Sequence, residues 1–284
     1  MEHTKERVAS LLAESRGTFL SGAAMADELG VSRNAVWKAI RSLRAEGYAI
    51  EAVTNRGYRL ESGRDILSEA LIAKTAGVEE DLIHIYDELP STNRKAKEYA
   101  VSGAPHGTTV LADRQSDGSG RYRKKFFSPP GGLYMSVILK PPAFPYVNPG
   151  DVTGYTAVCV VQAVRERCGC DAMIKPLNDL YLNGKKIGGI LTESVSDFDT
   201  GEIEWIVTGI GINLRTKEDL FPDELREKAG SVYPDGCADV TRGELAAAIL
   251  KKLLTEHAGR SGEEIRAAYR RWSDPAFPGR DPFI

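Results

Sequence analysis

Apolar residues recur at helical spacing through the first part of the chain. Over residues 4–15, Val8, Leu11 and Leu12 share one face of a predicted helix. A second helix is predicted from Ser21, whose hydroxyl suits an N-cap, to Gly30, which suits a C-terminal turn. After Gly30-Val31-Ser32 a third helix runs to about Gly47, with Val36, Ile40 and Leu43 inward. Two short runs, 48–53 and 57–60, read as strands joined through Thr54-Asn55-Arg56.

From about Ile66 the pattern changes to mixed strands and helices. Strands are predicted at 82–86, 108–114, 133–140 and 203–214, with a buried helix at 153–168. The helix predicted over 92–102 turns Ala96, Tyr99 and Ala100 inward. Asn183-Gly184, between Tyr181-Leu182 and Lys185-Lys186, suits a tight two-residue hairpin turn. Strands in this order with few helices between them predict an α+β domain on a mixed, mostly antiparallel sheet. The polar stretch 61–65 reads as a linker, giving domains 1–62 and 66–272 with a tail at 273–284. A helix is expected to end near Trp272. Neither a P-loop nor a strand–GxGxxG–helix unit occurs.

The chain has 284 residues, 42% hydrophobic and 27% charged, as expected of a globular protein. Its 37 basic and 40 acidic residues give a net charge of −3, so any nucleic-acid signal must be local. It is local: Arg33, Lys38, Arg41 and Arg44 lie in 32–44, a segment without an acidic residue. With Arg56 and Arg59 in the hairpin, the spacing predicts a winged helix-turn-helix. Ser32, Arg33, Asn34, Trp37, Lys38, Arg41 and Arg56 are the candidate DNA contacts, and Arg33 and Asn34 sit where base edges are within reach. The alternative is a solvated basic helix in a protein–protein module. No apolar run reaches the roughly 20 residues a bilayer span needs, and the start lacks a signal-peptide pattern, so a cytoplasmic protein without membrane partners is expected. Cys159, Cys168, Cys170 and Cys237 fit reduced thiols better than a disulfide framework or a zinc site.

Two stretches carry candidate chemistry. The first, 115–132, is a glycine-broken loop dense in cations between two predicted strands. Gly118 and Gly120 let backbone approach a ligand, and Arg121, Arg123, Lys124 and Lys125 suit phosphate or carboxylate. Such a loop reads as a mobile lid that closes on an anion. The second is Lys175-Pro176-Leu177-Asn178-Asp179 followed by the hairpin and Lys186-Ile187-Gly188-Gly189. Adjacent strand residues face opposite sides, so only one of Lys185 and Lys186 enters a pocket. Gly188 and Gly189 imply close approach of a ligand or another backbone, and Asn178 and Asp179 offer oxygen ligands for a hard cation. Taken alone, the loop is equally a basic surface loop, and Asn178-Asp179 equally a turn at a strand start.

In order along the chain come the winged helix, Ser91-Thr92-Asn93, Pro105-His106-Gly107, Gln115, the glycine–arginine loop, Ser128-Pro129, Lys175-x-x-Asn178-Asp179, Lys186-x-Gly188-Gly189-Ile190-Leu191 and Gly209-Ile-Gly-Ile-Asn213. This ordered set resembles the bifunctional bacterial biotin protein ligases that also act as biotin operon repressors. The resemblance implies a catalytic domain of the biotin/lipoate ligase (class II synthetase-like) type. It implies ATP, Mg²⁺ and biotin as ligands, with biotinyl-5′-AMP formed and biotin passed to a lysine of an acyl-CoA carboxylase's biotin carboxyl carrier protein. It further implies operator DNA as a partner and a ligand-linked homodimer.

Carried over by position, the biotin site would be Ser91, Thr92, Asn93, Gln115, Gly118, Ser119, Gly120, Arg121, Lys186, Gly188 and Gly189. The ATP site would be Arg121, Arg123, Lys124, Phe126, Lys175, Asn178 and Asn213, with Mg²⁺ at Asn178 and Asp179 and catalysis resting on Arg121, Lys175 and Lys186. Three departures stand out. The family loop reads Gly-Arg-Gly-Arg-Arg-Gly-Arg followed shortly by Trp, where this chain has Gly118-Ser-Gly-Arg-Tyr-Arg-Lys124 and Phe126. The family's Lys-Trp-Pro-Asn-Asp is Lys175-Pro-Leu-Asn-Asp179. Relatives carry a small C-terminal β-domain, and the chain stops at Phe283-Ile284, so that domain is expected to be absent. The competing expectation is a biotin-sensing DNA-binding regulator with little or no ligase activity.

Overall fold

The computed structural model describes residues 2–15, 17–45, 48, 50–60, 67–144, 149–196, 199–235, 240–256 and 260–277. The predicted linker at 61–65, the helix end at Gly47, Cys237 and the tail beyond residue 277 lie outside the described residues. The chain divides into two compact units, Met1–Leu71 and Ile72–Ile284.

The first unit comprises α1 (Glu2–Glu14), α2 (Gly22–Leu29), α3 (Arg33–Ala45) and a hairpin of β1 (Ile50–Val53) and β2 (Gly57–Leu60). Its core is the set the periodicity singles out, with Val8, Leu12, Val36, Ile40 and Leu43 packed around Met25 and Leu29. Ser21 caps α2 by accepting the Ala24 N–H at 3.0 Å, and Gly30 ends it at φ 66°. Arg44 leaves the basic face: its guanidinium donates to the Ile50 carbonyl and ties α3 to the hairpin.

The second unit begins within α4 (Glu69–Ala76) and runs through β3 (Ile83–Leu89), α5 (Thr92–Val101), β4 (Thr109–Gln115), β5 (Leu133–Leu139), α6 (Pro149–Cys168), β6 (Met173–Lys175), β7 (Asp179–Leu182), β8 (Lys185–Ser196) and β9 (Ile203–Ile212). It closes with α7 (Asp223–Arg226), α8 (Arg242–Lys251) and α9 (Gly262–Trp272). The sheet order is β3-β4-β5-β9-β8-β7-β6, and only β3 and β4 pair in parallel, around α5. The alternation along β9 shows how the sheet is covered. Val207 packs with Ala96 and Ala100 of α5, while Thr208 points the other way to meet Thr156 of α6 at 3.1 Å. With a helix on each face, β5 is buried along its whole length, which is why its sequence is almost unbroken apolar.

The β7–β8 turn has Asn183 at φ 50° and Gly184 at φ 76°, the left-handed pair that a tight hairpin demands. Predicted strand and helix ends differ from the observed ones by a few residues. The helical pattern of α8 was not evident, because Leu245, Ala246, Ala247, Ile249 and Leu250 are all buried and leave no polar stripe. Its readable signal is the capping box of Thr241 and Glu244.

His106 shows what part of the ordered motif set does for the fold. Its Nδ1 accepts the Lys140 N–H at 3.1 Å just past the end of β5, and burial lowers its pKa below the ordinary 6.5. As pH falls below 6.5 the unfolded chain takes up a proton that the folded imidazole resists, so stability present above that value is lost toward the lower folded pKa. Thermal melts of His106→Gln should therefore fall less steeply than wild type between about pH 7 and about pH 5.5. Parallel slopes would contradict the assignment.

Candidate functional site

β3 ends at Leu89, and the chain turns through Pro90 into the first turn of α5, which places Ser91, Thr92 and Asn93 at the sheet's edge of a cavity of about 320 Å³. Ser91 is the N-cap of α5. The Thr92 N–H and hydroxyl both donate to Gln115 Oε1, at 2.8 and 3.1 Å, and Gln115 Nε2 donates to the Ser128 hydroxyl at 2.9 Å. Ser128 in turn donates to the Phe126 carbonyl at 2.9 Å. Beneath them Ser136 of β5, fully buried, reaches Thr92 Oγ1 at 2.8 Å and Asn93 Oδ1 at 2.6 Å, its one proton serving either acceptor. Asn93 Nδ2 donates to Glu193 Oε2 at 2.8 Å, and Lys97 holds the other carboxylate oxygen at 2.7 Å. These side chains hold one another in place, and the Lys97–Glu193 pair leaves this end of the cavity without net charge.

Space for that network comes from β9. Gly209 lies opposite Ser136 in the sheet register, and a Cβ there would collide with the Asn93 amide. Two residues on, a Cβ at Gly211 would stand 2.6 Å from the Phe126 ring.

The other end of the cavity is cationic. Arg121, in the glycine-broken loop, donates to Asn178 Oδ1 at 3.2 Å. Lys186 of β8 pairs with Asp179 Oδ1 at 2.5 Å, while Lys185 projects to the opposite side and pairs with Glu218. Asn178 Nδ2 donates to the Ile190 carbonyl at 2.9 Å, which fixes the amide against β8. The loop folds on itself: Gly120 N–H donates to the Lys124 carbonyl at 2.7 Å and Phe126 N–H to the Gly118 carbonyl at 2.8 Å. Tyr122, at φ 57°, stands 84% exposed at its tip.

Most residues singled out in the sequence meet in this one cavity: Ser91, Thr92, Asn93, Gln115, Ser119, Gly120, Arg121, Lys124, Phe126, Asn178, Asp179, Lys186 and Gly189 line it. Four do not. Gly118 is buried behind the loop against Ser128 and Gln115. Gly188 abuts the Gly211 carbonyl, so the close approach there is of backbone. Asn213 donates to the Gly230 carbonyl at 3.0 Å, off the cavity. Lys175 points away, its ammonium 4.4 Å from the Phe277 ring centroid and 3.3 Å from the Tyr181 hydroxyl. The side chain of Arg123 lies outside the described residues. Tyr122, Lys125, Ile210 and Gly211, which stand in the motifs but were assigned to neither ligand, also line it, and sequence reasoning passed over the supporting Ser136. Ser136 had a signal, as the one small hydroxyl in the run Leu133–Leu139.

On the first unit, Arg33, Asn34, Trp37, Lys38 and Arg41 are exposed along α3, with Arg41 5.5 Å from the Trp37 ring centroid. Ser32 accepts the Ala35 N–H at 3.1 Å as a helix cap. Arg56 lies on the wing. Among the described residues, no three His, Cys, Asp or Glu side chains cluster as a metal site, and burial pushes the Cys168 thiol up to about 11. No described helix is long and apolar enough to cross a membrane.

Comparison with known proteins agrees with both units. The HTH domain family matches residues 4–59, and the biotin/lipoate A/B protein ligase family matches residues 86–213. The chain is 42% identical over 226 residues to the bifunctional ligase/repressor BirA of Bacillus subtilis, an alignment covering 78% of this chain and 68% of that one. It is 29% identical over 244 residues to the BirA of Escherichia coli, covering 84% and 72%. Among solved structures, the biotin protein ligase of Aquifex aeolicus in complex with biotin and ATP aligns with a TM-score of 0.57 at 28% identity, covering 67% of this chain and 78% of that one. The chain belongs to the biotin/lipoate A/B protein ligase family, in the branch of bifunctional ligase/repressors that carry an N-terminal helix-turn-helix.

Proposed function

We propose that this chain is an ATP-dependent biotin–protein ligase that also represses transcription in response to biotin. The observation that carries the reading is the division of one cavity into a neutral hydrogen-bonding end, at Thr92 and Gln115, and a cationic end, at Arg121 and Lys186. Biotin has that division: a neutral ureido ring at one end and a carboxylate at the other. Ser91, Thr92, Asn93 and Gln115 would hydrogen-bond the ring, and the glycine-broken loop from Gly118 through Ser119 and Gly120 would close over the chain.

In the first half-reaction a biotin carboxylate oxygen attacks the α-phosphorus of ATP. The bond from that phosphorus to the bridging oxygen breaks and pyrophosphate leaves. Two anions must meet, so cations are needed where charge accumulates. Arg121 and Lys186 reach the meeting point from different elements, and Asn178 and Asp179 hold them poised before substrate arrives. Lys124 and Phe126 would flank the nucleotide. Lys175 lies outside the cavity, so its part is to anchor the segment that carries Asn178, and Asn213 supports the end of β9 in the same way. Asn178 and Asp179 offer an all-oxygen pair that suits Mg²⁺ alongside phosphate oxygens once the two cationic side chains turn to substrate. The ion would neutralise phosphate charge.

In the second half-reaction the ε-amine of a lysine on the biotin carboxyl carrier protein of an acyl-CoA carboxylase attacks the acyl carbonyl. AMP leaves and the amine proton is lost to solvent. The closed loop keeps water from the mixed anhydride meanwhile. Adenylate-bound chains would pair as a homodimer and place two α3 helices on operator half-sites, with Arg33 and Asn34 at base edges and Lys38, Arg41 and Arg56 on phosphates.

Purified protein with ATP, Mg²⁺ and biotin should exchange labelled pyrophosphate into ATP, and should biotinylate a carrier domain on a streptavidin blot. Lys186→Gln should lower exchange by about 10²-fold or more, the scale of a lost charge-stabilising donor. Lys175→Gln should cost less. Exchange that is independent of biotin would sink the ligase reading; a biotin-dependent gel shift in the same preparation would then favour the sensor alone.

A further inference from the structure

Phe19 lies in the connection between α1 and α2, just before Leu20. The Leu20 N–H and carbonyl pair with the carbonyl and N–H of Tyr58, each at 2.8 Å, which adds this connection to the hairpin as an isolated antiparallel bridge. The bridge carries the Phe19 ring to the wing. There the guanidinium of Arg56 lies 4.2 Å from the ring centroid and that of Arg59 lies 4.5 Å from it.

The two cations differ in what else holds them. Arg59 stands opposite Glu51 in the β1–β2 register and pairs with its carboxylate, so its charge is already met. Arg56 follows Asn55, which takes the left-handed φ of 65° at the wing's tip, and its side chain is exposed. Among the described residues no ion pair involves Arg56, and the Phe19 ring is what its guanidinium rests on. A guanidinium over an aromatic face is restrained without a carboxylate, and its N–H donors stay available to an anion. An arginine restrained before binding loses less rotamer freedom when it engages a phosphate. The same short segment then supplies Ser21, the cap of α2, so it ties the wing to the helix-turn-helix. Ser21, Arg33, Asn34 and Asn55 line one groove between α3 and the wing.

We propose that Phe19 is a positioning residue for DNA binding: it holds Arg56 for a backbone phosphate beside α3, while Arg59, bound to Glu51, fixes the hairpin. The proposal rests on the DNA-binding reading above.

The test uses the full chain and a fluorescein-labelled random-sequence duplex, with anisotropy titrations over a series of salt concentrations. Phe19→Leu should weaken binding by roughly three- to ten-fold and flatten the slope of log K against log salt by about one for each winged-helix unit in contact, as Arg56→Gln does. In the Arg56→Gln background, Phe19→Leu should add no further loss. Phe19→Tyr, which keeps the aromatic face, should bind as wild type does. Should Phe19→Leu fail to fold, Phe19→Met keeps an unbranched apolar side chain for the same comparison. An unchanged slope, or an equal loss in the Arg56→Gln background, overturns the proposal and leaves DNA binding intact. A wild-type chain that ignores the duplex at the lowest salt overturns the DNA reading, and this proposal with it.

Discussion

The catalytic unit turns on one buried hydroxyl. Ser136 sits in the middle of an apolar strand and is within hydrogen-bond distance of both Thr92 Oγ1 and Asn93 Oδ1, the two residues that open α5. An unpartnered hydroxyl at full burial would be costly, so strand and helix start are locked to one another. Thr92 then fixes Gln115 at the end of β4, and Gln115 fixes Ser128 at the far side of the glycine-broken loop. One chain of hydrogen bonds thus joins β5, α5, β4 and the loop. Gly209 makes it possible, because no side chain can stand between Asn93 and the sheet at that point.

With the neutral end fixed, the cationic end is set by charge. Arg121 and Lys186 come from segments far apart in sequence and are each held by a neighbour from the Asn178-Asp179 pair. The paired side chains of Lys186 and Asp179 remain 35% and 27% exposed, so their attraction is screened and is of modest strength. That suits groups which must change partner when an anion enters. The segment that bears Asn178 is braced from behind: Tyr269 donates to the Leu177 carbonyl at 3.1 Å, and Asp274 N–H to the Ile174 carbonyl at 2.8 Å. Tyr269 of α9 and Asp274 therefore support the site without lining the cavity.

Much of this was legible in the sequence, for identifiable reasons. The winged unit is small and its helices are amphipathic, so Val36, Ile40 and Leu43 announce their face and Ser21 and Gly30 announce their ends. The hairpin at Asn183-Gly184 follows from backbone sterics alone, and the opposite facing of Lys185 and Lys186 follows from strand geometry. What was not legible depends on tertiary packing. α8 is buried all round and shows no polar period. Lys175 shares its motif with Asn178 and Asp179, yet its direction is decided by Tyr181 and by Phe277, a residue about a hundred positions later. Gly209 and Ser136 acquire meaning only once β5 and β9 are seen side by side.

In the proposed function, the Ser136–Thr92–Gln115 chain of hydrogen bonds builds the neutral end of the biotin site. The most direct measurement is calorimetric titration of biotin, without nucleotide, into wild type and Ser136→Ala, with thermal melts of both. The variant should fold and bind biotin about five- to a hundred-fold more weakly, the range for buried hydrogen-bonding groups left without a partner. Equal affinities for the two proteins would contradict it.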